Sequence, residues 1–412
     1  MKKVENKISR RSFLGRGAAT FIGAGLGLAG SADLIESRPA NDEPKKDSGV
    51  STEKPAIKSY RDLGGTGWSV SDIGFGNATM QDPAILEYAI ERGINYVDTA
   101  RQYYDMEVVI GRIFPEKRDK IFVTTKLVPE LVTPSVSTEE ITLAIEESLT
   151  RLNTDYIDCC LIHSVGDPEQ GDRTRIENPN IYKAFERAKR EGKIKAWGAS
   201  SHGPKMIDDF TWLLDNTDID MIMPGMNFMT RGLEPVLARA KKMGVAVVAM
   251  KSLSAARKID YSKYMKEGRT IRQAVTKWML AQPDIDTIAI TMRTFEDVDE
   301  FVAASGAPGL SGEEKKALEG YGMLLDHDYC RPGCSGCLHA CPYDVPIHDI
   351  LRYRLYFNNY GREKYAMGLY GKLEESRNAG ACATCSGACE SSCPYGLAIR
   401  SKLVAAHSEL TV

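Results

Sequence analysis

The chain predicts a (β/α)8 barrel followed by a small helical module. Three observations predict it. Eight short apolar runs alternate with stretches of helical period between about Tyr60 and Ser305. The first run is followed by "GFGNATM" rather than the Gly-x-Gly-x-x-Gly turn of a dinucleotide-binding open sheet, which disfavours the doubly wound alternative. Eight of the ten cysteines lie after residue 325, in two clustered runs.

In chain order, the first element is a targeting segment. "KISRRSFLGRGAATFIGAGLGLAGSA" has a basic start, paired Arg10 and Arg11, then Phe13, Leu14 and a mild Gly/Ala-rich apolar stretch ending in small residues. That order resembles a twin-arginine export signal over residues 1–32 and predicts a periplasmic or extracytoplasmic protein. Residues 33–57, rich in Pro, Lys and Glu and without period, read as a linker. No stable membrane span is expected unless the signal is retained. With 53 Lys+Arg against 56 Asp+Glu, no footprint for nucleic acid is visible.

The barrel is expected over 58–325. Its strands are "SDIGFGN" from Ser71, "INYVDTA" from Ile94, "KIFVTTKL" from Lys120, "YIDCCLIH" from Tyr156, "IKAWGASS" from Ile194, "DMIMPGMN" from Asp220, "VAVVAMKSL" from Val245 and "TIAITM" from Thr287. The helices between them carry start and stop signals: "STEEITLAIEESLTRL" opens with Ser137 three residues before Glu140, and "PNIYKAFERAKREGK" ends in basic residues around a glycine.

In such a TIM barrel the chemistry sits at the C-terminal strand ends. Asp98, Lys126 and His163 end three consecutive strand runs, and Tyr103 follows Asp98 by five residues. Any one alone is explained as a cap, a surface charge or a core histidine. Together they suit carbonyl reduction. A phenol is a weak acid, and an ammonium held by a carboxylate would draw its pKa down toward use. Tyr103 would then give a proton to a carbonyl oxygen that His163 orients.

The motifs "YRDLGGTGWSVSDIGFG", "NYVDTARQYY", "VTTK", "YIDCCLIH" and "GKIKAWGASS" resemble those of the aldo/keto reductases, in order and over nearly all of Tyr60 to Ser305. The resemblance implies a catalytic tetrad of Asp98, Tyr103, Lys126 and His163, with Tyr103 favoured over Tyr104. It places cofactor contacts at Ser200, Ser201, Lys251 and Arg293. The pattern departs from the family at Ser201, Met223, Met250–Lys251, Asp297 and Phe301. Each departure removes a hydrogen bond or phosphate contact, so weak NAD(P) binding is expected, with NADP disfavoured by the charge of Asp297.

Residues 326–412 carry the cysteines. Cys159 and Cys160 lie inside a strand and read as core. The others form two quartets, Cys330, Cys334, Cys337, Cys341 and Cys382, Cys385, Cys389, Cys393, each closing on C-x3-C-P. The bacterial ferredoxin run has that ending, and each quartet differs from it by one inserted residue. Two [4Fe–4S] clusters are the favoured occupants and two four-cysteine zinc sites the rival. In ferredoxin-like ligation the fourth cysteine of each run crosses over, so Cys393 joins Cys330, Cys334 and Cys337, while Cys341 joins Cys382, Cys385 and Cys389. The segment between the runs would be helical. A barrel with this module resembles the iron–sulfur branch of the same family. The expected activity is an exported oxidoreductase acting on a small carbonyl or alcohol, with the clusters serving a redox partner protein. The alternative is an electron-transfer or scaffold protein whose barrel has lost nicotinamide binding.

Overall fold

A two-stranded antiparallel hairpin, β1 (Tyr60–Asp62) and β2 (Ser69–Ser71), leads into eight parallel strands. These are β3 (Ile73–Gly76), β4 (Tyr96–Asp98), β5 (Phe122–Leu127), β6 (Ile157–Ile162), β7 (Ile194–Ser201), β8 (Met221–Pro224), β9 (Ala246–Met250) and β10 (Thr287–Thr291). They close in sequence order, and β10 returns to pair in parallel with β3 through Ile288 opposite Ile73. The computed structural model describes residues 54–76, 82–128, 133–165, 173–253 and 270–411. The segment expected to be an export signal and most of the expected linker lie outside the described residues.

All eight predicted runs are the eight barrel strands. Strands buried on both faces need apolar side chains at every position, and β6 (IDCCLI) is buried throughout. Inward-facing Tyr96, Phe122, Cys159, Leu161, Met221, Met223 and Val248 fill the barrel, with Leu63 and Val70 of the hairpin loop and strand closing its lower end. Outward-facing Ile, Val and Leu pack under the helices. Cys159 faces inward and Cys160 outward, both as core. At one point on β7 only glycine fits: a Cβ on Gly198 would strike the Met221 carbonyl and stand 2.7 Å from the Leu161 side chain.

The helices keep their sequence signals. Helix Thr138–Leu152 starts in a capping box of Ser137 and Glu140, and helix Gly312–Leu325 in another of Ser311 and Glu314. The second of these packs on helix Ile271–Leu280 through Ala317, Leu318 and Tyr321.

Past residue 325 there is no strand among the described residues. The cysteine runs form short turns, and the segment between them is helix Ile347–Tyr360 followed by helix Glu363–Tyr370. Helix Ile399–Leu410 closes a small separate core of Ile350, Tyr353, Tyr370, Leu403 and Ala406. This part is seated on the barrel mouth. Gly333, between the first two cysteines, donates its N–H to the Gly203 carbonyl just beyond β7 at 3.2 Å.

Candidate active site

Strand ends β4 and β6 bring Asp98 and His163 to one cavity, the turn after β4 adds Tyr103, and β5 places Lys126 against Asp98 behind the cavity wall. The Lys126 ammonium donates to Asp98 Oδ1 at 2.5 Å and to the Thr99 carbonyl at 2.7 Å, fully buried. It lies 5.4 Å from the Tyr103 ring centre. The Tyr103 and His163 rings meet edge to face, 5.7 Å apart. Tyr104 points away, 69% exposed, with a left-handed φ of 56°. That φ turns the chain so that only the first tyrosine enters the cavity.

Burial sets the protonation states. It pushes the Tyr103 phenol well above its usual 10.0, and the nearby Asp98 carboxylate pushes further the same way. The expectation that Lys126 draws this pKa down is therefore corrected, because the ammonium is held by Asp98 and a carbonyl rather than by the phenol oxygen. Tyr103 instead holds its proton firmly. Burial lowers His163 well below 6.5, helped by the Lys126 charge, so its imidazole is neutral. Its Nδ1 has no hydrogen-bond partner in the described residues.

The other predicted contacts are not presented to this cavity in the same way. Ser200 Oγ accepts the Ser164 N–H at 3.3 Å, and Ser201 Oγ donates to the Val165 carbonyl. Both serines are fully buried and neither lines the cavity. Met223 is turned into the barrel interior. Asn227 is held by the Met229 N–H and by the Tyr329 hydroxyl. Asp297 is paired with Arg272 at 2.6 Å and accepts the Arg293 N–H, and Phe301 is buried beneath the Arg272 guanidinium. Lys251 and Arg293 do line the cavity.

Sequence reasoning missed the roof. Tyr356, Tyr360 and Tyr365 from two C-terminal helices, with Arg362 from the turn between them, complete the cavity of about 140 Å³. Lys251 donates to the Tyr356 hydroxyl at 3.1 Å. His202, just past β7, accepts from Arg352 at 3.0 Å on its Nδ1, and Arg352 pairs with Asp349 at 2.9 Å. Gly225 makes room for His202, since a Cβ there would lie 2.6 Å from that of the histidine. A second cavity, about 350 Å³, shares His202, Lys251, Tyr356 and Tyr360 with the first and reaches Cys330 and His348.

The structure brings the eight clustered cysteines into two crossed groups. Cys334, Cys337 and Cys393 stand near enough to Cys330 to add their charge repulsion to the effect of burial on its thiol. Cys341, Cys389 and Cys385 do the same at Cys382, which is pushed up to about 11, mainly by burial. Backbone N–H groups point at two of the sulfurs: Val345 toward Cys341 at 3.4 Å and Gly387 toward Cys385 at 3.5 Å. Among the described residues, no three His, Cys, Asp or Glu side chains converge as the ligands of a single metal ion would.

A closed eight-stranded barrel with a lysine–carboxylate pair, a tyrosine and a histidine gathered at its C-terminal mouth defines an oxidoreductase of the barrel class. The family model described as "Aldo/keto reductase family" matches residues 67–321, more than half of the chain, and the chain belongs to that family. The "Uncharacterized oxidoreductase YqkF" of Bacillus subtilis is 29% identical over 303 residues, which are 63% of this chain and 95% of that protein. The L-galactose dehydrogenase of Arabidopsis thaliana is 27% identical over 308 residues, 65% and 94% of the two chains. Among solved structures, the holo form of aldo-keto reductase AKR11C1 from Bacillus halodurans has a TM-score of 0.53 at 25% identity, covering 64% of this chain and 96% of that one. An aldo-keto reductase from Klebsiella pneumoniae in complex with NADPH scores 0.51 at 26% identity, covering 66% and 95%. The family match stops at residue 321, before the first clustered cysteine, Cys330.

Proposed function

We propose that this aldo/keto reductase-type enzyme is an exported carbonyl or alcohol oxidoreductase whose electrons pass through two four-iron clusters in its C-terminal region, 326–412. The observation that carries the proposal is helix Ile347–Tyr360. Its His348 and Arg352 face the cavity that reaches Cys330, and its Tyr356 and Tyr360 roof the cavity that holds Tyr103. One rigid element thus joins the two chemistries.

The cysteines suit clusters better than zinc. A four-cysteine zinc site would draw its sulfurs to about 2.3 Å from one ion. The C-x3-C-P ending that both quartets share with the ferredoxin run, and their crossed grouping, support clusters over zinc. When bound, such clusters supply electrons one at a time. Cys330, Cys334, Cys337 and Cys393 would hold one, and Cys341, Cys382, Cys385 and Cys389 the other.

The residues fit a nicotinamide less well. The hydroxyls of Ser200 and Ser201 are engaged by the backbone, Asn227 is tied to Tyr329, and Lys251 is tied to Tyr356. No step is therefore assigned to NAD(P). Within the cavity, Tyr103 keeps its proton and can release it only to an oxygen that is gaining charge. Neutral His163 can donate to that same oxygen and fix its position. The Asp98–Lys126 pair keeps one compensated charge beneath the phenol. Reduction of a carbonyl to an alcohol takes two electrons, which the external one-electron donor supplies in two steps, and two protons, of which the oxygen receives one from Tyr103 and the carbon the other from water. Paired Arg10 and Arg11 ahead of an apolar segment support export.

The test is turnover of a panel of aldehydes, ketones and sugars by anaerobically purified protein, with a one-electron dye or NADPH in turn. Dye-dependent turnover is expected to exceed that with NADPH. NADPH turnover that persists after the clusters are removed would instead describe a conventional reductase with a structural appendage. The engagement of Ser200 and Ser201 also favours a second reading, an electron carrier with a silent barrel, for which no carbonyl would turn over with either donor.

A further inference from the structure

His202 lines both cavities, and the C-terminal region fixes the loop that carries it. Arg352 donates to its Nδ1 at 3.0 Å, and Asp349 holds Arg352 at 2.9 Å. At the next residue, the Gly203 carbonyl accepts the Gly333 N–H at 3.2 Å, while the Gly203 N–H donates to Ser201 Oγ at 3.3 Å. Gly225 leaves the space that the His202 side chain needs, since a Cβ there would stand 2.6 Å from that of the histidine. The place of this ring is imposed by contacts from the barrel and the C-terminal region together.

The bond from Arg352 decides which nitrogen of the ring carries hydrogen. A guanidinium has N–H donors and no acceptor, so the nitrogen that it meets must be bare. Burial, with the charges of Lys251 and Arg352, holds the imidazole well below its usual 6.5 and therefore neutral. A neutral imidazole with a bare Nδ1 carries its hydrogen on Nε2. That Nε2 makes no hydrogen bond among the described residues, and it is not sealed away as His163 Nδ1 is. The two histidines of the cavity therefore differ. No described residue bonds His163 Nδ1, so the tautomer of His163 can follow the ligand, whereas His202 can only donate.

A carbonyl oxygen has two lone pairs, and Tyr103 and His163 take both in the reading above. A third donor in a cavity of only about 140 Å³ needs a second acceptor on the same small compound. We propose that His202 donates its Nε2–H to an oxygen beside the substrate carbonyl, as in a hydroxyketone or hydroxyaldehyde, and that Arg352 is the positioning residue that keeps it a donor. This rests on the reading of Tyr103 and His163 as partners of the carbonyl oxygen and adds a specificity determinant to it. A methyl group in place of the second oxygen would leave a buried N–H without an acceptor, so the site discriminates against it. The C-terminal region then sets what the barrel mouth selects, through a bond made 150 residues along the chain.

The experiment is calorimetric binding of hydroxyacetone and of butanone, which differ by a hydroxyl against a methyl, to the anaerobically purified full chain. Hydroxyacetone is expected to bind about fivefold or more tightly. Two amide variants separate donation from packing. His202→Gln puts an amide N–H near the position of Nε2 and should keep most of the preference. His202→Asn puts an amide oxygen near the position of Nδ1, where Arg352 can still donate to it, and should lose the preference. Arg352→Met should lower the preference and Arg352→Lys restore it. A preference that survives in His202→Asn and is lost in His202→Gln would mean that the ring only ties the two regions together, and would overturn the proposal. So would wild-type protein that binds the two ketones equally, a result that needs no variant to fold. The two readings fail separately. Turnover kept in Tyr103→Phe, with the ketone preference intact, removes the Tyr103 mechanism alone. Turnover lost in that variant, with no ketone preference in wild-type protein, removes the role of His202 alone.

Discussion

The barrel and the C-terminal region bury their interiors by different means. The barrel is packed with Ile, Val, Leu, Met and aromatic side chains on both sides of its strands. The smaller C-terminal core counts Cys337, Cys382 and Cys389 among its buried members, with Cys330, Cys341 and Cys393 packed against it. A region with no strand among the described residues and so small an apolar core cannot offset much chain entropy by packing alone. If the proposed clusters are present, the barrel is stable by its own packing, whereas the C-terminal region depends on what its thiols hold.

The strongest way to break this contrast is to test for the proposed iron and remove it. Anaerobic protein is expected to carry about eight iron and eight sulfide per chain, with broad visible absorbance that bleaches on reduction. Cys385→Ser should lower this to about four of each and leave the C-terminal helices open to protease, with barrel ellipticity retained. Stoichiometric zinc in a colourless protein would sink the cluster assignment. Joint unfolding of the barrel and the C-terminal region in Cys385→Ser would show that the two are not independent.

The next largest effect concerns the cavity between them. Tyr103→Phe removes the hydroxyl and little volume, so carbonyl turnover should fall about 10²- to 10⁴-fold with substrate binding kept. Tyr104→Phe, on the exposed neighbour, should change turnover less than twofold. Equal losses in the two variants would mean that the phenol in the cavity is not the donor.

How much of this was legible in the sequence differs between the regions for a physical reason. Barrel strands are buried on both faces, so each appears as an apolar run, and the Ser137–Glu140 cap and the order Asp98, Tyr103, Lys126, His163 can be read along one strand–turn unit at a time. The crossed grouping of the cysteines was expected from the likeness of each run to the ferredoxin run, a pattern that is local in sequence. The roof was not. Lys251 meets Tyr356, and His202 meets Arg352, over separations of 105 and 150 residues that leave no periodic trace. Ser200 and Ser201 were expected to touch a cofactor from the family resemblance, and Asp297 to oppose NADP, but their partners, the Ser164 N–H, the Val165 carbonyl and Arg272, are set by packing.

The seam between the regions should be sensitive to acid. Burial, reinforced by Lys126 at His163 and Lys251 at His202, holds both imidazoles well below 6.5. Above pH 6.5 both are neutral in either state, so they make stability neither rise nor fall. Below it the unfolded chain takes up protons that the folded protein refuses, and stability drops as the pH falls. The slope is up to about 1.4 kcal/mol per pH unit for each histidine. Melting temperature followed from pH 7.5 to 5.5 should be level and then decline, and His202→Gln should flatten the decline relative to wild type. A melting temperature unchanged across this range in wild-type protein would refute the assignment.

The smallest effects compare two helix caps of the same kind. Ser137 and Ser311 each accept the N–H of a glutamate three residues on, and each glutamate reaches back to the cap N–H. Losing either cap by substitution with alanine should cost about 0.5–2 kcal/mol. The two sites differ in surroundings. Glu140 is exposed, so water can replace what Ser137→Ala removes. Glu314 is buried and is also bonded to Lys277 at 2.6 Å, on the helix that packs beside the C-terminal region. Ser311→Ala should therefore fall at the upper end of that range and Ser137→Ala at the lower, as read from urea midpoints at constant slope. If helix Gly312–Leu325 belongs energetically to the barrel, both variants will move the same unfolding transition. A shift of the C-terminal transition alone in Ser311→Ala would move the boundary between the two regions to before residue 311.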